Sequence, residues 1–387
     1  MELYVHIPFC ARKCRYCDFA SYAGQESQMH AYVNAVLTEA KARSQHYAEL
    51  YGLLPPVETV FIGGGTPSLL PADEFDRLLD GICSIFTIAP SAEFTSEANP
   101  GTLTKQWLDS AVQHGVNRLS LGMQAYQPEL LQMLGRIHSF EQVQTSVEMA
   151  RQAGISNISL DLMFGLPGQT LQHWHESLEA ALSLHPQHLS CYGLIPEDGT
   201  PLKRDLDTGK LHLPDEEQER LMYDDTLRIL SLHGFSQYEI SNFALPGYAC
   251  RHNLGYWRQI PYLGLGASAA SCMDEKDGNP YVRVSNPAGL AEYISCAENN
   301  AWSSRISEAV TVQDARFETM MLGLRTTAGV NAEAFAKQHG ISLDQIYGKT
   351  LARLAQQELV LFTDGFWRLT RKGMDVQNAV LVELMEP

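Results

Sequence analysis

Three cysteines close to the start of the chain have a spacing suited to metal chemistry. Cys10, Cys14 and Cys17 form the pattern C-x3-C-x2-C, whereas the other cysteines are scattered along the chain. Three thiolates on one short loop can bind three corners of a cubane cluster and leave the fourth iron without a protein ligand. A structural zinc site requires four ligands. His6 could be offered as the fourth, but it lies on the predicted first strand. The spacing therefore favours a [4Fe–4S] cluster with one open iron over zinc or three incidental buried thiols.

The segments that must position this loop alternate between short apolar runs and amphipathic stretches. Strands are predicted over residues 3–6, 59–63, 93–97, 118–122, 157–161 and 188–192, and helices over 29–48, 74–86 and 140–153. Strand followed by helix, repeated six times, predicts a parallel sheet. Each predicted strand runs directly into polar, Gly or Pro residues, and parallel barrels carry their chemistry at the C-terminal strand ends. The predicted fold class is α/β, a partial (β/α)6 barrel.

The pattern changes near the C-terminus. Helices are predicted over 313–324, 332–339 and 343–357, followed by strands over 359–363 and 366–370 around an Asp364-Gly365 turn. Helices followed by a small hairpin predict a winged-helix-like module. Residues 310–387 carry 8 Lys or Arg and 9 Asp or Glu, whereas a DNA-reading wing normally carries positive charge. We therefore expect no nucleic-acid partner.

Charge and hydropathy restrict the environment of the protein. The chain has 387 residues, 45 acidic against 28 basic, and a net charge of −17, which disfavours nucleic acid or anionic lipid as the main partner. No stretch reaches the roughly 18 apolar residues of a spanning helix, and the N-terminal segment lacks the pattern of a secretory signal. We expect a cytoplasmic protein with at most peripheral membrane contact, whose cysteines are thiols or metal ligands rather than disulfides.

The cysteine pattern resembles the signature of the radical S-adenosylmethionine superfamily, in which an aromatic residue precedes the last cysteine. Tyr16 occupies that place. The resemblance implies that the open iron chelates the amino and carboxylate groups of S-adenosylmethionine. It also implies that one electron from the cluster cleaves the sulfonium to methionine and a 5′-deoxyadenosyl radical. A one-electron donor such as flavodoxin or ferredoxin is then an implied partner.

The same resemblance assigns roles to residues around the predicted strand ends. The run Gly63-Gly64-Gly65-Thr66-Pro67 resembles the glycine-rich segment that exposes backbone groups to the methionine amino group. Glu97 can accept from a charged amine, and the donor fork of Arg136 suits a carboxylate. Taken singly, each is equally compatible with an ordinary surface or capping role. The predicted S-adenosylmethionine residues are Tyr4, Gly64, Gly65, Thr66, Glu97, Gln124, Arg136 and Asp161.

Further motifs resemble one branch of the superfamily, the oxygen-independent coproporphyrinogen III oxidase-like proteins. They are YVHIPFC, IGGGTPS, EANPGT, RLSLGMQ, LGRIH, LDLMFGLPGQT and HNLGYW. The oxidases of this branch carry a fourth cysteine two residues after the third, together with a long N-terminal extension. This chain has Phe19 at that position, and nine residues precede Cys10. Both departures argue against oxidase activity, and Cys17-Asp18-Phe19 instead resembles the haem chaperones of the branch.

The motif HNLGYW, residues 252–257, is the candidate haem site. The haem chaperones carry H-N-x-x-Y-W, and an imidazole can ligate haem iron while aromatic rings cover the porphyrin. We predict His252 as the haem ligand, in an irregular segment after the barrel strands; a hydrogen-bonded core histidine is the alternative. Cys250 is either a second contact or a buried thiol. Ala270 stands where the branch commonly has His.

These motifs together lead to one functional hypothesis and two alternatives. The hypothesis is a haem chaperone that binds a [4Fe–4S] cluster, S-adenosylmethionine and haem, and passes haem to acceptor proteins. The alternatives are an oxygen-independent coproporphyrinogen III oxidase, or other radical enzyme acting on a porphyrin, and a cluster-bearing regulator of nucleic acid, which the acidic wing disfavours. The predicted domains are 1–200, the barrel; 201–305, an extension carrying HNLGYW; and 306–387, the winged-helix-like module.

Overall fold

The alternation of side chains along the first strand decides which residues enter the main hydrophobic core. The computed structural model describes residues 1–273 and 280–385. In strand β1 (Glu2–Ile7), Leu3, Val5 and Ile7 are fully buried in the core that helix α1 (Met29–Tyr51) also supplies. The intervening Glu2, Tyr4 and His6 take the opposite face, because successive side chains of a strand point to opposite sides. This second face is polar and carries most of the predicted site residues.

Six parallel strands follow one another in chain order across the centre of a twelve-stranded sheet. After β1 these are β2 (Val57–Gly64), β3 (Ile88–Ala98), β4 (Arg118–Gln124), β5 (Asn157–Phe164) and β6 (His188–Gly193). The helices between them are α1, α2 (Ala72–Ile85), α3 (Lys105–Gln113), α4 (Pro128–Leu134), α5 (Phe140–Ala153) and α6 (Leu171–Ser183). Parallel strands require such crossovers. The predicted α/β architecture is confirmed. Where an observed strand end differs from the predicted one, the observed strand is one to five residues longer at that end.

The sheet is larger than the sequence predicted. The next elements are α7 (Pro201–Asp207), α8 (Glu216–Leu232), β7 (Ser236–Gln237), β8 (Asn242–Ala244), α9 (Arg251–Trp257), β9 (Tyr262–Leu265), β10 (Ala270–Met273), β11 (Tyr281–Ser285), α10 (Leu290–Asn299) and β12 (Ile306–Val310). Strands β8 and β7 extend the sheet antiparallel beyond β6. Strand β9 pairs parallel with β1, and β10, β11 and β12 continue antiparallel from it. Among the described residues the two edge strands, β12 and β7, do not pair with each other.

The C-terminal module has a hydrophobic core of its own, and Phe335, Leu351 and Val380 are among its buried residues. Its elements are α11 (Val312–Gly323), β13 (Val330–Asn331), α12 (Ala332–His339), α13 (Leu343–Gln356), β14 (Val360–Thr363), β15 (Phe366–Leu369), α14 (Arg371–Asp375) and α15 (Gln377–Leu384). Asp364 and Gly365 both have positive φ, as a two-residue hairpin turn requires. The helices and hairpin match the predicted winged-helix-like arrangement.

Two further findings concern the chain as a whole. None of the helices in the described ranges is long and apolar enough to cross a membrane. The segment HNLGYW was predicted to be irregular. It instead lies within helix α9. The prediction was wrong because the seven-residue helix contains a glycine and three aromatic or imidazole side chains, which give no apolar period.

Candidate cluster and cofactor site

The loop that carries the three cysteines is fixed at both ends and near its middle. It joins β1 to α1, and Cys10 N donates to Tyr22 O at 3.0 Å while Tyr22 N donates to Pro8 O at 2.7 Å. Between these contacts, Arg15 N donates to Leu134 O at 2.9 Å. Because α4 and the β1 end hold the loop, its thiols are presented at the C-terminal edge of the parallel strands.

The sulfurs of Cys10 and Cys14 each lie near a polar side chain from a segment that follows another strand. Thr66 Oγ1 lies 3.7 Å from Cys10 Sγ, and Arg136 Nη1 lies 3.5 Å from Cys14 Sγ. Burial raises the pKa of Cys10 and of Cys17 above that of an ordinary thiol. Within residues 1–273 and 280–385, no three His, Cys, Asp or Glu side chains converge on one point as a single metal ion requires. A cubane takes each thiolate on a different iron, so it does not need that convergence.

The glycine segment lets β1 and β2 approach closely at this edge. Gly64 has φ +111°, and a Cβ there would lie 2.4 Å from the His6 ring. A Cβ on Gly65 would lie 2.7 Å from Phe9 O at the start of the cluster loop. A larger residue at position 65 would push the cluster loop away from the strand ends. The residue type is therefore set by the backbone of this loop at Gly65, and by the His6 ring and the positive φ at Gly64.

Glu97 in β3 and Asp161 in β5 carry partly buried carboxyls on two strands that are separated by β4. Glu97 Oε2 accepts from Gly64 N at 2.9 Å, and Ser120 Oγ lies 3.2 Å from both Asp161 oxygens. Burial, followed by the charge of Asp161, raises the pKa of Glu97 to about 7. Burial also raises the pKa of Asp161. The positive charge of Arg118 opposes both of these pKa shifts. A bound cation or hydroxyl groups would give the two carboxyls further partners.

Arg136 connects the fourth strand to the cluster loop. Its Nη2 donates to Asn99 Oδ1 and to Gly122 O, each at 2.7 Å, in addition to the contact with Cys14. Cys14, Asn99 and Arg136 border a cleft of about 100 Å³. Gln124 adopts the left-handed backbone conformation, with φ +64°. Such strain costs about 1–3 kcal/mol and is commonly concentrated at functional sites.

The structure brings seven of the eight residues predicted for S-adenosylmethionine to one edge. Gly64, Gly65, Thr66, Glu97 and Gln124 lie at or just beyond the C-terminal ends of β2, β3 and β4. Asp161 lies three residues before the end of β5, and Arg136 follows α4 but reaches back to Gly122 O in β4. Tyr4 lies lower, in the middle of β1, where its hydroxyl bonds His6 Nδ1 at 2.9 Å. His6 Nε2 in turn bonds Ala20 O at 2.8 Å in the cluster loop.

Sequence analysis missed Asn99 and His6 at this edge. Asn99 binds both Arg136 and Thr66, the latter through Nδ2 and Oγ1 at 2.8 Å. It follows directly on the predicted strand end in EANPGT, which was a usable signal. His6 gave none, because a single histidine in a strand does not reveal what its ring contacts.

His252 lies far from the cluster loop, on the same polar face of the sheet. Its side chain bonds Thr59 Oγ1 through Nδ1 at 2.7 Å and Tyr256 hydroxyl through Nε2 at 2.9 Å, and the residue is only 1% exposed. Burial, and next the charge of Arg118, lowers the pKa of His252 to about 3. The imidazole is therefore neutral at physiological pH, the form that ligates metals, but both ring nitrogens have partners here.

Cys250 is a buried thiol rather than a surface group. Its Sγ lies 3.4 Å from Glu93 Oε1, and burial raises its pKa to about 12. The same carboxylate accepts from the backbone N–H groups of Arg251 and His252 at 2.9 and 3.0 Å. Glu93 thereby caps α9 and fixes the direction of the His252 side chain.

Comparison with known proteins identifies the family of this chain. The model of the radical SAM superfamily matches residues 4–181, and the model described as the HemN C-terminal domain matches residues 310–376. A Bacillus subtilis protein named heme chaperone HemW is 40% identical over 97% of this chain and 97% of its own length. The Escherichia coli protein of that name is 34% identical over 98% of this chain and 97% of its own length. The chain belongs to the HemW family of the radical SAM superfamily.

A solved structure supports the fold of this HemW family member. Escherichia coli coproporphyrinogen III oxidase, HemN, described as a radical SAM enzyme, matches it with a TM-score of 0.83. The match covers 99% of this chain and 89% of that one at 23% sequence identity, which establishes a shared fold. In the HemW family member, Phe19 is exposed (61%), and its backbone contacts the cluster loop: its oxygen accepts from Lys13 Nζ at 2.9 Å.

Proposed function

We propose that this protein is a cytoplasmic haem chaperone that binds haem and passes it to acceptor proteins. The observation that carries the proposal is the 40% identity over 97% of both chains to the Bacillus subtilis protein named heme chaperone HemW. The polar face of the sheet supports it, because a cluster loop and a neutral histidine are both built on that face. The net charge of −17 disfavours nucleic acid as a partner in this function.

The cluster edge is proposed to hold a [4Fe–4S] cluster on Cys10, Cys14 and Cys17 and S-adenosylmethionine beside it. When both are bound, they supply one-electron cleavage of the sulfonium. Arg136 then orients a carboxylate while its charge neutralises thiolate at Cys14, from which its Nη1 is 3.5 Å. Glu97, whose pKa of about 7 reflects burial, accepts from an ammonium group, which favours its ionised form. Asp161 accepts from hydroxyls, and Gly64 and Gly65 leave backbone groups accessible.

Iron analysis tests the cluster directly. Anaerobically reconstituted protein should hold one cluster of four irons and four sulfides, and the triple Cys→Ala variant of positions 10, 14 and 17 should lose it. Cys83→Ala, which changes a thiol between α2 and α3, is the matched control. Iron content that is the same in the triple variant and the control would refute the assignment.

Haem binding is proposed to use His252 as the main protein ligand. The neutral imidazole and the adjacent aromatic rings of Phe61 and Tyr256, at centroid distances of 5.2 and 4.8 Å, support this role. Ligation through Nε2 requires the Tyr256 hydroxyl to release that nitrogen. Anaerobic reconstitution followed by haem titration, with and without S-adenosylmethionine, is the decisive experiment. A wild-type protein that shows no saturable haem spectrum under either condition would refute the chaperone function.

The alternative is an oxygen-independent coproporphyrinogen III oxidase or another radical enzyme that modifies a porphyrin. The shared cofactor edge favours it, but Phe19 offers no ligand where the oxidases carry a further cysteine. An anaerobic assay with reductant, S-adenosylmethionine and coproporphyrinogen III should therefore give no protoporphyrinogen. Turnover at about one per second or faster would establish the alternative instead.

The proposed partners are haem, haem-accepting proteins and a one-electron donor such as flavodoxin or ferredoxin. The net charge of −17 does not select among donors, so reduction of the reconstituted cluster by each purified donor is the appropriate test. The donor is identified if it reduces the cluster, measured by absorbance, faster than buffer without dithionite does.

A further inference from the structure

A cavity of about 350 Å³ lies beside HNLGYW, between the sheet and the C-terminal module. Its walls come from β1, α9, β9, β10, β11 and α11, and they contain four tyrosines and one thiol. Among the lining residues are Tyr4, Tyr256, Tyr262, Cys272, Arg283 and Leu322. Ala270, which stands where the branch commonly has His, lines the same cavity. We refer to it as the tyrosine cavity.

The tyrosine cavity and His252 are separated by one side chain. Tyr256 lines the cavity, and its hydroxyl bonds His252 Nε2 at 2.9 Å. Its ring packs edge-on against His252 on one side and Tyr262 on the other, with centroids 4.8 and 4.7 Å away. Removing the phenol from its present position would therefore expose Nε2 to the cavity.

The opposite side of the imidazole is fixed, so that only Nε2 is available for exchange. Thr59 Oγ1 bonds Nδ1 at 2.7 Å, and Phe61 stacks on the ring at 5.2 Å. Ligating histidines are oriented in this way, by a hydrogen bond at the other ring nitrogen. The Glu93 carboxylate also holds the backbone N–H of His252 at 3.0 Å.

The chemistry of the cavity suits a planar macrocycle with carboxylate substituents. Tyrosine rings and Leu322 give apolar cover, and Arg283 supplies a cation that is about one-third exposed. Among the described residues, Arg283 pairs with Glu318 at 2.5 Å through one of its five N–H donors, and the other donors can reach a propionate. The Tyr281 hydroxyl also donates to Glu318.

We propose that the tyrosine cavity receives haem, and that the Tyr256 hydroxyl holds His252 Nε2 until the iron takes its place. This rests on the proposed haem function and adds the binding pocket, the exchanged hydrogen bond and the propionate partner. The cavity lies toward the N-terminal ends of the strands: His252 contacts Thr59, whereas the cluster edge begins at Gly64, five residues further along β2. Five residues of strand span about 17 Å.

Haem titration of variants, followed by absorbance, tests the exchange. Tyr256→Phe removes the hydroxyl that competes with iron for Nε2, and a net hydrogen bond of about 1 kcal/mol predicts roughly fivefold tighter binding. His252→Ala should lose the absorbance band of the imidazole-ligated haem. Weaker or unchanged haem binding by folded Tyr256→Phe protein, or an unaltered spectrum in His252→Ala, would overturn the exchange.

A second pair of variants tests the cavity itself. Leu322→Trp fills it from α11, whereas Val312→Trp adds the same ring at an exposed position of the same helix outside it. We expect at least a tenfold loss of haem affinity in the first and none in the second, with equal thermal midpoints confirming that both fold. Equal haem affinity in the two variants would place the macrocycle elsewhere, and absence of haem binding in the wild type would instead refute the chaperone function.

The propionate contact is tested by comparing two ligands that differ in their carboxylates. Arg283→Gln should weaken binding of haem several-fold and leave binding of haem dimethyl ester unchanged, because the ester has no carboxylate to pair. The same loss for both ligands would show that Arg283 only supports the cavity wall. An identical affinity of the variant and the wild type for haem would remove Arg283 from the site.

Discussion

At the scale of single residues, Arg136 does more than its position in LGRIH indicates. One guanidinium reaches Cys14 of the cluster loop, Asn99 at the end of β3 and Gly122 O in β4. Lysine carries the same charge but lacks the planar fork that makes three such contacts. The arginine thus connects three separate chain segments at the cofactor edge.

We predict that Arg136→Lys lowers the free energy of unfolding by about 1–3 kcal/mol, because Asn99 Oδ1 and Gly122 O lose buried donors. S-adenosylmethionine affinity should also fall at least tenfold. Urea unfolding and calorimetric titration of reconstituted protein measure the two effects. Arg151→Lys is the matched control, since Arg151 also donates to two carbonyls, Leu184 O and His185 O, at 2.7 Å. Similar loss of S-adenosylmethionine affinity in both variants would contradict the prediction.

Glu2 should make stability depend on pH. Burial raises its pKa to about 8 from an ordinary 4.5, so between these values the folded chain retains a proton that the unfolded chain releases. Its stabilising contribution is complete below pH 4.5 and is lost as the pH rises through 8, at up to about 1.4 kcal/mol per pH unit.

Glu2→Gln should therefore gain stability relative to the wild type as the pH rises from 5 to 8.5. Urea unfolding at several pH values measures the difference. Glu58→Gln, at an exposed carboxylate on the adjacent strand, serves as the control and should show no such trend. A constant difference between Glu2→Gln and the wild type across this range would show that Glu2 titrates normally.

At the scale of elements, one row of the sheet register supports helix α9. Glu2, Thr59 and Glu93 are aligned across β1, β2 and β3. Glu93 caps the helix, Thr59 bonds His252, and Glu2 lies against Gly255, where a Cβ would be 1.7 Å from Glu2 Oε1. The glycine of HNLGYW is therefore required by the contact between helix and strand.

We predict that Gly255→Ala destabilises the protein by about 1–3 kcal/mol, as overpacking of a tight contact does. It should also shift α9 and weaken haem binding. Gly348→Ala in α13 is the matched control: its Cβ would lie 3.5 Å from Asp344 Cβ, an ordinary contact. Alanine in a helix interior should then stabilise by about 0.5–1 kcal/mol. Equal effects of the two substitutions on urea unfolding would mean that α9 does not press on β1.

At the scale of the whole molecule, the two proposed sites occupy opposite ends of one polar face. The cluster edge follows the C-terminal strand ends, and the tyrosine cavity lies nearer the N-terminal ends and the C-terminal module. A chain of rings runs between them, from His252 to Phe61 to Tyr4 to His6, with successive centroids 5.2, 6.3 and 6.0 Å apart. This separation favours haem carriage over radical attack on the macrocycle.

Binding at the cluster edge should stabilise the whole fold by mass action. S-adenosylmethionine at about 100 times its dissociation constant should add about 2.7 kcal/mol to the free energy of unfolding of reconstituted protein. Anaerobic urea unfolding measures it. The triple Cys→Ala variant of positions 10, 14 and 17 should show no comparable gain. A gain of equal size in that variant would mean that the cofactor binds without the cluster.

The six parallel strands, six of the helices and the winged-helix-like module could be predicted from the sequence. This was possible because strand alternation, helical period and the end of each strand are local properties. Two of the helices, Phe140–Ala153 and Ala332–His339, have the bounds that their periodicity predicted.

The positions of β9, α9 and Tyr256 depend on contacts between distant parts of the chain. Strand β9 has four residues and joins the sheet through pairing with β1, a contact across more than 250 residues of chain that no local pattern encodes. The partners of His252 come from β2 and from one helical turn further along α9, so its hydrogen bonds could not be assigned before Thr59 and Tyr256 were brought to it. Residue type limited what His252 can do, and packing across the sheet determined which nitrogen faces the tyrosine cavity.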